Sequence, residues 1–166
     1  QVRHHQLNDI VWRSLARATV HAKKEPLGLA RTDGKRPDGV TLTPWKAGKC
    51  LLWDATTPDT LAASHVDKTS KQAGAAAEQA ANLKVEKYRE LSENYIFTPI
   101  AVETLGPIND DGMNFLNELG RRISQLTLDK RETAFLFQRI SIAVQRGNAA
   151  SFAGCFEEIV PTWDAD

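Results

Sequence analysis

Two aspartates at the outer ends of a pair of short apolar runs have the spacing that best suggests chemistry. In residues 34–60, GKRPDGVTLTPWKAGKCLLWDATTPDT, Asp38 precedes the first run and Asp54 follows the second. The KAGK segment at 46–49 predicts a hairpin turn. A turn centred near Lys46 places the aspartates almost opposite each other. If the turn lies one or two residues later, Asp38 and Asp54 are offset along the hairpin by about three residues, or roughly 10 Å. In both cases the two aspartates lie at the same end of the hairpin.

Each aspartate also has a structural explanation. Residues 36–39, RPDG, fit a type I turn in which Asp38 serves only the turn. Asp54 directly follows CLLW, a pattern typical of a buried strand, and a buried carboxylate needs a positive partner. That partner is a lysine, an arginine or a metal ion. Because two adjacent carboxylates repel unless a cation lies between them, the pair is a candidate Mg²⁺ site for phosphodiester hydrolysis.

A candidate amine lies in the alanine-rich segment at 72–92, which predicts a long helix. Lys84 falls near the alanine stripe of this helix, and Tyr88 lies four residues later on the same face. We therefore expect Lys84 to point toward the sheet, with Lys87 as the alternate. The competing interpretation is that both lysines are solvated helix charges.

The surrounding pattern predicts an α/β or α+β fold with a small mixed sheet, because a helix between strands implies a crossover. Pro99 indicates an edge strand or a bulge. We expect one domain over residues 1–166, with a core at about 3–105 and a helical part at about 108–160. The predicted helices are 3–19, 72–92, 111–126 and 130–146, with Gly147 as an interruption, and the predicted strands are 40–45, 50–53, 95–102 and a short one near 25–29.

Composition is ordinary, with 42% hydrophobic residues and zero formal net charge in 166 residues. Residues 1–60 hold ten Lys and Arg against six Asp and Glu, which allows a basic face there. Cys50 and Cys155 stand among apolar residues, so we expect buried thiols in an intracellular, reducing compartment. No apolar run approaches the roughly 20 residues of a membrane span. The adjacent His4 and His5 face different directions on a helix and are expected at the surface.

Several segments in this order resemble the restriction-enzyme-like endonuclease of non-LTR retrotransposon polyproteins, a member of the PD-(D/E)XK superfamily. The resemblance covers nearly the whole chain. It is carried by RPDG (36–39), WDAT (53–56) and KVEKY (84–88), and further by RHHQLNDIVW (3–12), YIFTPIAVETLGPIND (95–110) and RETAFLFQRISIAVQR (131–146).

The resemblance implies a restriction-endonuclease-like αβββαβ core with additional C-terminal helices. It implies Asp38 and Asp54 as ligands of Mg²⁺ or Mn²⁺. The lysine that the superfamily carries two residues after the second acid is replaced here by Thr56. The similar retrotransposon enzymes carry it on the following helix, where Lys84 and Tyr88 match. Glu25 matches an acidic residue that often completes the site.

The implied function is nicking of target DNA in the nucleus, which frees a 3′ hydroxyl that primes reverse transcription. The implied partners are DNA and the reverse transcriptase domain of the same polyprotein, with no membrane. The basic residues expected to contact DNA phosphates are Lys35, Arg36, Lys46, Lys49 and Lys87. The alternative function is a catalytically decayed DNA-binding or interaction domain of such a polyprotein.

Overall fold

The chain has a mixed α/β fold with a small four-stranded sheet. The computed structural model describes residues 2–29 and 33–157, and in these ranges it contains four strands and five α-helices. The strands are β1 (Ala22–Lys24), β2 (Gly39–Thr41), β3 (Leu51–Thr56) and β4 (Ile96–Ala101). The helices are α1 (Val2–Arg17), α2 (Val66–Thr69), α3 (Ala75–Lys87), α4 (Asp110–Thr127) and α5 (Glu132–Glu157).

The sheet order is β1-β2-β3-β4. The first three strands pair antiparallel, whereas β4 lies parallel to β3. The parallel pair follows from the α3 crossover between them, as the sequence predicted. Pro99 lies in β4 at the edge of the sheet, which confirms the prediction of an edge strand.

The first strand of the central hairpin is shorter than the predicted 40–45. β2 ends at Thr41, whose hydroxyl accepts the Leu51 N–H at 2.9 Å and donates to the Thr43 carbonyl at 2.8 Å. The Thr41 hydroxyl thus replaces a backbone carbonyl as the acceptor for Leu51. Pairing cannot continue at Pro44, because proline has no N–H to donate. The turn at 46–49 is confirmed by the Lys46–Lys49 bridge.

The predicted strand near 25–29 lies elsewhere. The chain pairs with β2 at Ala22–Lys24, and Glu25 then takes a positive φ of 48° that ends the strand. A short 3₁₀ helix at Leu27–Leu29 follows Pro26, in the stretch expected to be extended.

The core lies in three layers. Helices α1, α4 and α5 cover one face of the sheet, where Leu7, Val11 and Leu15 of α1 are fully buried. The opposite face is covered by α3, whose Ala77 and Ala81 pack against Ala101 of β4. Alanine side chains are small, so α3 lies close to the sheet and holds the residues of its last turn near β3.

One prediction about the C-terminal helices is wrong. Gly147 does not interrupt α5, which continues to Glu157. Glycine fits at this position because a Cβ would overlap the Arg3 side chain of α1.

The cysteines are not buried as expected. Cys50 is half-buried, and Cys155 is exposed because α5 extends past its last core residue, Val144. Both thiols are free. Within residues 2–29 and 33–157, none of the helices has the length and apolarity needed to span a bilayer.

Candidate active site

Asp38 and Asp54 lie at the same end of the hairpin. The pairing of β2 with β3 joins Gly39 to Trp53 and Val40 to Leu52. The Asp38 N–H donates to the Trp53 carbonyl at 3.0 Å, so Asp38 lies beside the last paired position, and its carboxylate is close enough to act on that of Asp54. Residues 36–38 form no hydrogen-bonded turn, and the Asp38 carboxylate contacts Ala55 and His4, so the interpretation that Asp38 serves only a turn is wrong.

Gly39 is required by the Trp53 side chain rather than by a turn. A Cβ at this position would overlap the indole ring of Trp53. The Trp53 indole N–H in turn donates to Asn8 Oδ1 of α1 at 3.2 Å. The end of the hairpin that carries the aspartates is thereby fixed to the first helix.

Two groups hold the Asp38 carboxylate. Its Oδ2 accepts the Ala55 N–H at 2.6 Å and lies 3.1 Å from His4 Nε2. Burial alone would raise the pKa of Asp38, but the His4 ring and the Ala55 amide outweigh burial, and the pKa lies below its usual value. The hydrogen bond with Asp38 raises the pKa of His4.

The Asp54 carboxylate faces α3 and is 3% exposed. Lys84 Nζ lies 2.7 Å from its Oδ2, so the helix lysine points to the sheet as the sequence predicted. Burial, followed by the negative charge of Asp38, raises the pKa of Asp54 to about 6 despite the opposing Lys84 ammonium. Asp54 therefore binds a proton below about pH 6 and is mostly ionised at neutral pH.

The donor set fits a hard divalent cation. Asp54 Oδ2 is sealed from solvent and accepts no hydrogen bond of good geometry from the described residues, its close contact being the Lys84 ion pair. In the same part of the chain, no three His, Cys, Asp or Glu side chains are arranged as a metal cluster. An ion here would have the two carboxylates of Asp38 and Asp54, with water and substrate as its other ligands, which suits Mg²⁺.

Two further predicted residues support the loop that leads into β2. Tyr88 is buried, its hydroxyl donates to the Arg36 carbonyl at 2.9 Å, and its ring packs against Phe97 with centroids 5.1 Å apart. Glu25 is tied to the same loop, since its N–H donates to the Asp38 carbonyl at 2.8 Å. Its exposed carboxylate is turned to the Arg36 guanidinium at 3.4 Å.

The basic residues predicted to bind DNA fall in two places. Lys35 and Arg36 lie just before the paired aspartates, and Lys87 lies one helical turn from Lys84 with its Nζ 4.8 Å from the Tyr88 ring. Lys46 and Lys49 lie in the turn at the far end of the hairpin, five or more residues from the aspartates, roughly 16 Å along a strand.

The structure adds His4 to the site, a role that the sequence analysis missed. Its side chain keeps 38% of its surface exposed, so it lies at the surface, but it contacts Asp38. The signal was present in the sequence: His4 precedes the buried Leu7 by three residues and Val11 by seven, so it continues the stripe that α1 buries. A histidine on this stripe points toward the elements against which α1 packs.

A scan against protein-family models and a search of curated proteins found no match to this chain. The functional conclusion therefore depends on the geometry of the site and on the sequence segments described above.

Proposed function

We propose that this protein is a Mg²⁺-dependent DNA endonuclease that hydrolyses a phosphodiester bond at the Asp38–Asp54 pair. One observation carries the proposal: two neighbouring carboxylates share one end of a hairpin with a lysine ammonium 2.7 Å from one of them. Neighbouring negative charges repel each other unless a cation or a proton offsets them. A divalent ion bound there would activate a water and stabilise negative charge on the phosphate.

The side chains around the pair have separable tasks. The Ala55 amide and His4 hold Asp38 Oδ2, which leaves its other oxygen for an ion. The Lys84 ammonium lies 2.7 Å from Asp54 Oδ2, and in this proposal it would stabilise negative charge that develops on the scissile phosphate. The superfamily lysine is replaced by Thr56 in β3, and Lys84 of α3 would supply the amine in its place.

His4 is a positioning residue in this proposal, because it acts through Asp38. Its ring, held on the α1 stripe, fixes the orientation of the Asp38 carboxylate from the side opposite to α3. Tyr88 acts similarly through the Arg36 carbonyl and the loop before β2. A role for Glu25 in completing the site stays a prediction.

The element order supports the same class of enzyme. Helix α1 is followed by three strands, the α3 crossover and β4, the αβββαβ order expected of a restriction-endonuclease-like core. Combined with the sequence resemblance, this order favours a retroelement nuclease that nicks DNA in the nucleus. The free 3′ hydroxyl would prime a reverse transcriptase domain of the same polyprotein.

The test is nicking of supercoiled plasmid with Mg²⁺ or Mn²⁺, with and without EDTA. We expect the wild type to convert supercoiled to open-circular DNA only with metal, and Asp38→Asn and Asp54→Asn to lose this activity. Asp67→Asn, an exposed carboxylate on α2, is the matched control and should nick as the wild type does. Circular dichroism and thermal melting check that each variant is folded.

Two results would separate this proposal from its alternative. Equal nicking by Asp54→Asn and the wild type would refute the site. A wild type that binds DNA tightly yet nicks under none of these conditions would favour the decayed DNA-binding domain.

A further inference from the structure

A second cationic feature, distinct from the basic residues of the hairpin, lies between α1 and α5. Two adjoining cavities of about 390 and 560 Å³ run along these helices and share Asp9, Ile10 and Arg139 in their walls. We name this feature the arginine cleft. Its basic residues are Arg13 and Arg17 of α1 and Arg139 and Arg146 of α5.

The charges in the arginine cleft are not balanced. Arg17 forms a two-bond pair with Glu132 at 2.8 Å, and Arg13 pairs with Asp9 at 2.8 Å. Arg139 and Arg146 have no ion pair with the residues that the structure describes. Four guanidinium groups thus face two carboxylates, a surplus of two positive charges.

Two buried polar atoms in this cleft lack partners. One terminal nitrogen of Arg139 and Oε1 of Gln6 are both shielded from solvent and make no hydrogen bond with the described residues. Both residues line the 390 Å³ cavity. Burial, and then the charge of Arg17, lowers the pKa of Arg139, so its charge is held at a cost in this environment. A buried cationic donor without an acceptor is best satisfied by an anion.

We propose that the arginine cleft binds the sugar–phosphate backbone of duplex DNA. Phosphate oxygens would accept hydrogen bonds from Arg139 and Arg146, because the planar guanidinium group matches phosphate geometry and keeps its charge. This inference rests on the proposed function, since the ligand is the duplex that the Asp38–Asp54 site cuts.

Helix α1 contributes side chains to both places. His4 contacts Asp38, whereas Gln6 and Arg13 line the arginine cleft. The same helix therefore connects the cleft to the carboxylate site.

An acidic protein segment is the other ligand that four arginines attract. DNA is favoured because α1 contributes residues both to the cleft and to a site whose expected substrate is a phosphodiester. The distinction is experimental, since a peptide and a duplex compete differently for the same guanidinium groups.

The experiment measures binding of the full chain to a fluorescent 20-base-pair duplex by anisotropy in EDTA, between 0.05 and 0.2 M NaCl. EDTA prevents cutting, so binding is separated from nicking. The variants are Arg139→Gln, Arg146→Gln and the double variant. Arg121→Gln is the matched control, because Arg121 is an exposed arginine paired with Glu118 on α4.

Each phosphate contact changes log K by about 0.9 per decade of salt. We therefore expect each single variant to bind about eight-fold more weakly at 0.1 M salt, with the slope reduced by about 0.9. Effects should add in the double variant, and Arg121→Gln should bind as the wild type does. Arg139→Gln removes a buried unpartnered donor, so its melting temperature should equal or exceed that of the wild type.

Three results would overturn the inference: wild-type affinity and salt slope in the double variant, an equal loss in Arg121→Gln, or displacement of the duplex by poly-glutamate as readily as by competitor DNA. If Arg139→Gln is poorly folded, the exposed Arg146→Gln decides alone. If the wild type does not nick DNA but the cleft variants bind DNA more weakly than it does, the nuclease proposal is refuted and the DNA contact stands. If the wild type nicks DNA and the cleft variants bind as it does, the DNA contact is refuted and the nuclease proposal stands.

Discussion

Asp54 and Lys84 form an ion pair in which the carboxylate is almost fully buried. The carboxylate is buried next to Asp38, and the ammonium at 2.7 Å is the close cation in the described part of the chain. Removing either partner leaves the other poorly compensated, which is the usual penalty for a broken buried pair. We therefore expect different effects from changing the Lys84 ammonium and from changing the Asp54 carboxylate.

The choice between the two helix lysines follows from this contact. We expect Lys84→Met to lower the rate of metal-dependent nicking by about 10²-fold, the usual loss for a donor aimed at developing charge. Lys87→Met, the matched control one turn away, should lose less than about ten-fold, in line with a DNA phosphate contact. The measurement is the single-turnover nicking rate of each variant. A larger loss in Lys87→Met than in Lys84→Met would contradict the assignment.

Stability in metal-free buffer should fall with rising pH because of Asp54. Its pKa in the fold is about 6, above the roughly 3.9 of an unfolded aspartate. The folded chain thus holds this proton more tightly, and the Asp54 contribution is fully present below about pH 4 and lost as pH rises through about 6. The loss is on the order of 2–3 kcal/mol.

Urea denaturation at several pH values in EDTA measures this contribution. Between pH 4.5 and 7 the wild type should lose more free energy of unfolding than Asp54→Asn, which has no proton to release. A difference between the two proteins that does not change with pH would show that Asp54 titrates normally.

Much of the residue-scale site was accessible from sequence, and its omissions have a physical cause. The positions of Asp38, Asp54 and Lys84 follow from hairpin register and helical period, both of which are local. His4 was missed because its partner lies 34 residues away, and only the packing of α1 on the hairpin brings the two together.

At the scale of elements, the β2–β3 hairpin positions both acids and depends on one close approach. Gly39 lies under the indole ring of Trp53, and that ring reaches Asn8 of α1. A larger side chain at this position must move the ring, the strand or both. The site is thus coupled to the packing between the hairpin and the first helix.

Gly39→Ala should destabilise the protein by about 2–3 kcal/mol, because overpacking a tightly filled core costs this much. It should also reduce nicking, since the shift falls one residue from Asp38. Gly28→Ala is the matched control: a Cβ at Gly28 meets nothing within 4 Å, so its effect should stay within about 0.5 kcal/mol. Chemical denaturation compares the two. Similar stability of both variants would contradict the role of the Gly39–Trp53 contact.

The element boundaries that sequence missed were decided by single side chains. Thr41 ends β2 early by taking a ladder hydrogen bond on its hydroxyl. At Gly147, inside the continuous α5, Arg3 of α1 fills the space that a Cβ would take. Both effects need a partner distant in sequence, so neither turn propensity nor glycine content predicts them.

At the scale of the whole molecule, three layers meet at the site. The hairpin supplies Asp38 and Asp54, α3 supplies Lys84 from one face, and α1 supplies His4 on the other side of Asp38. A cation bound there would neutralise repulsion between elements that are otherwise held by packing. Metal binding should therefore stabilise the entire fold.

We expect Mg²⁺ or Mn²⁺ to raise the melting temperature. At an ion concentration ten times the dissociation constant, the free energy of unfolding should increase by about 1.4 kcal/mol. The effect should be larger at pH 7.5 than at pH 5, because the ion binds ionised carboxylates in competition with the Asp54 proton. Thermal melting of the wild type and of Asp38→Asn measures it. An equal rise in the variant would place the ion elsewhere.

The most direct measurement is an anomalous difference map from crystals of the wild type grown with Mn²⁺. The predicted result is a peak bridging Asp38 and Asp54, within about 2.1–2.6 Å of an oxygen of each carboxylate. A well-diffracting crystal with no peak there, or with the ion bound away from both aspartates, would contradict the metal-dependent nuclease.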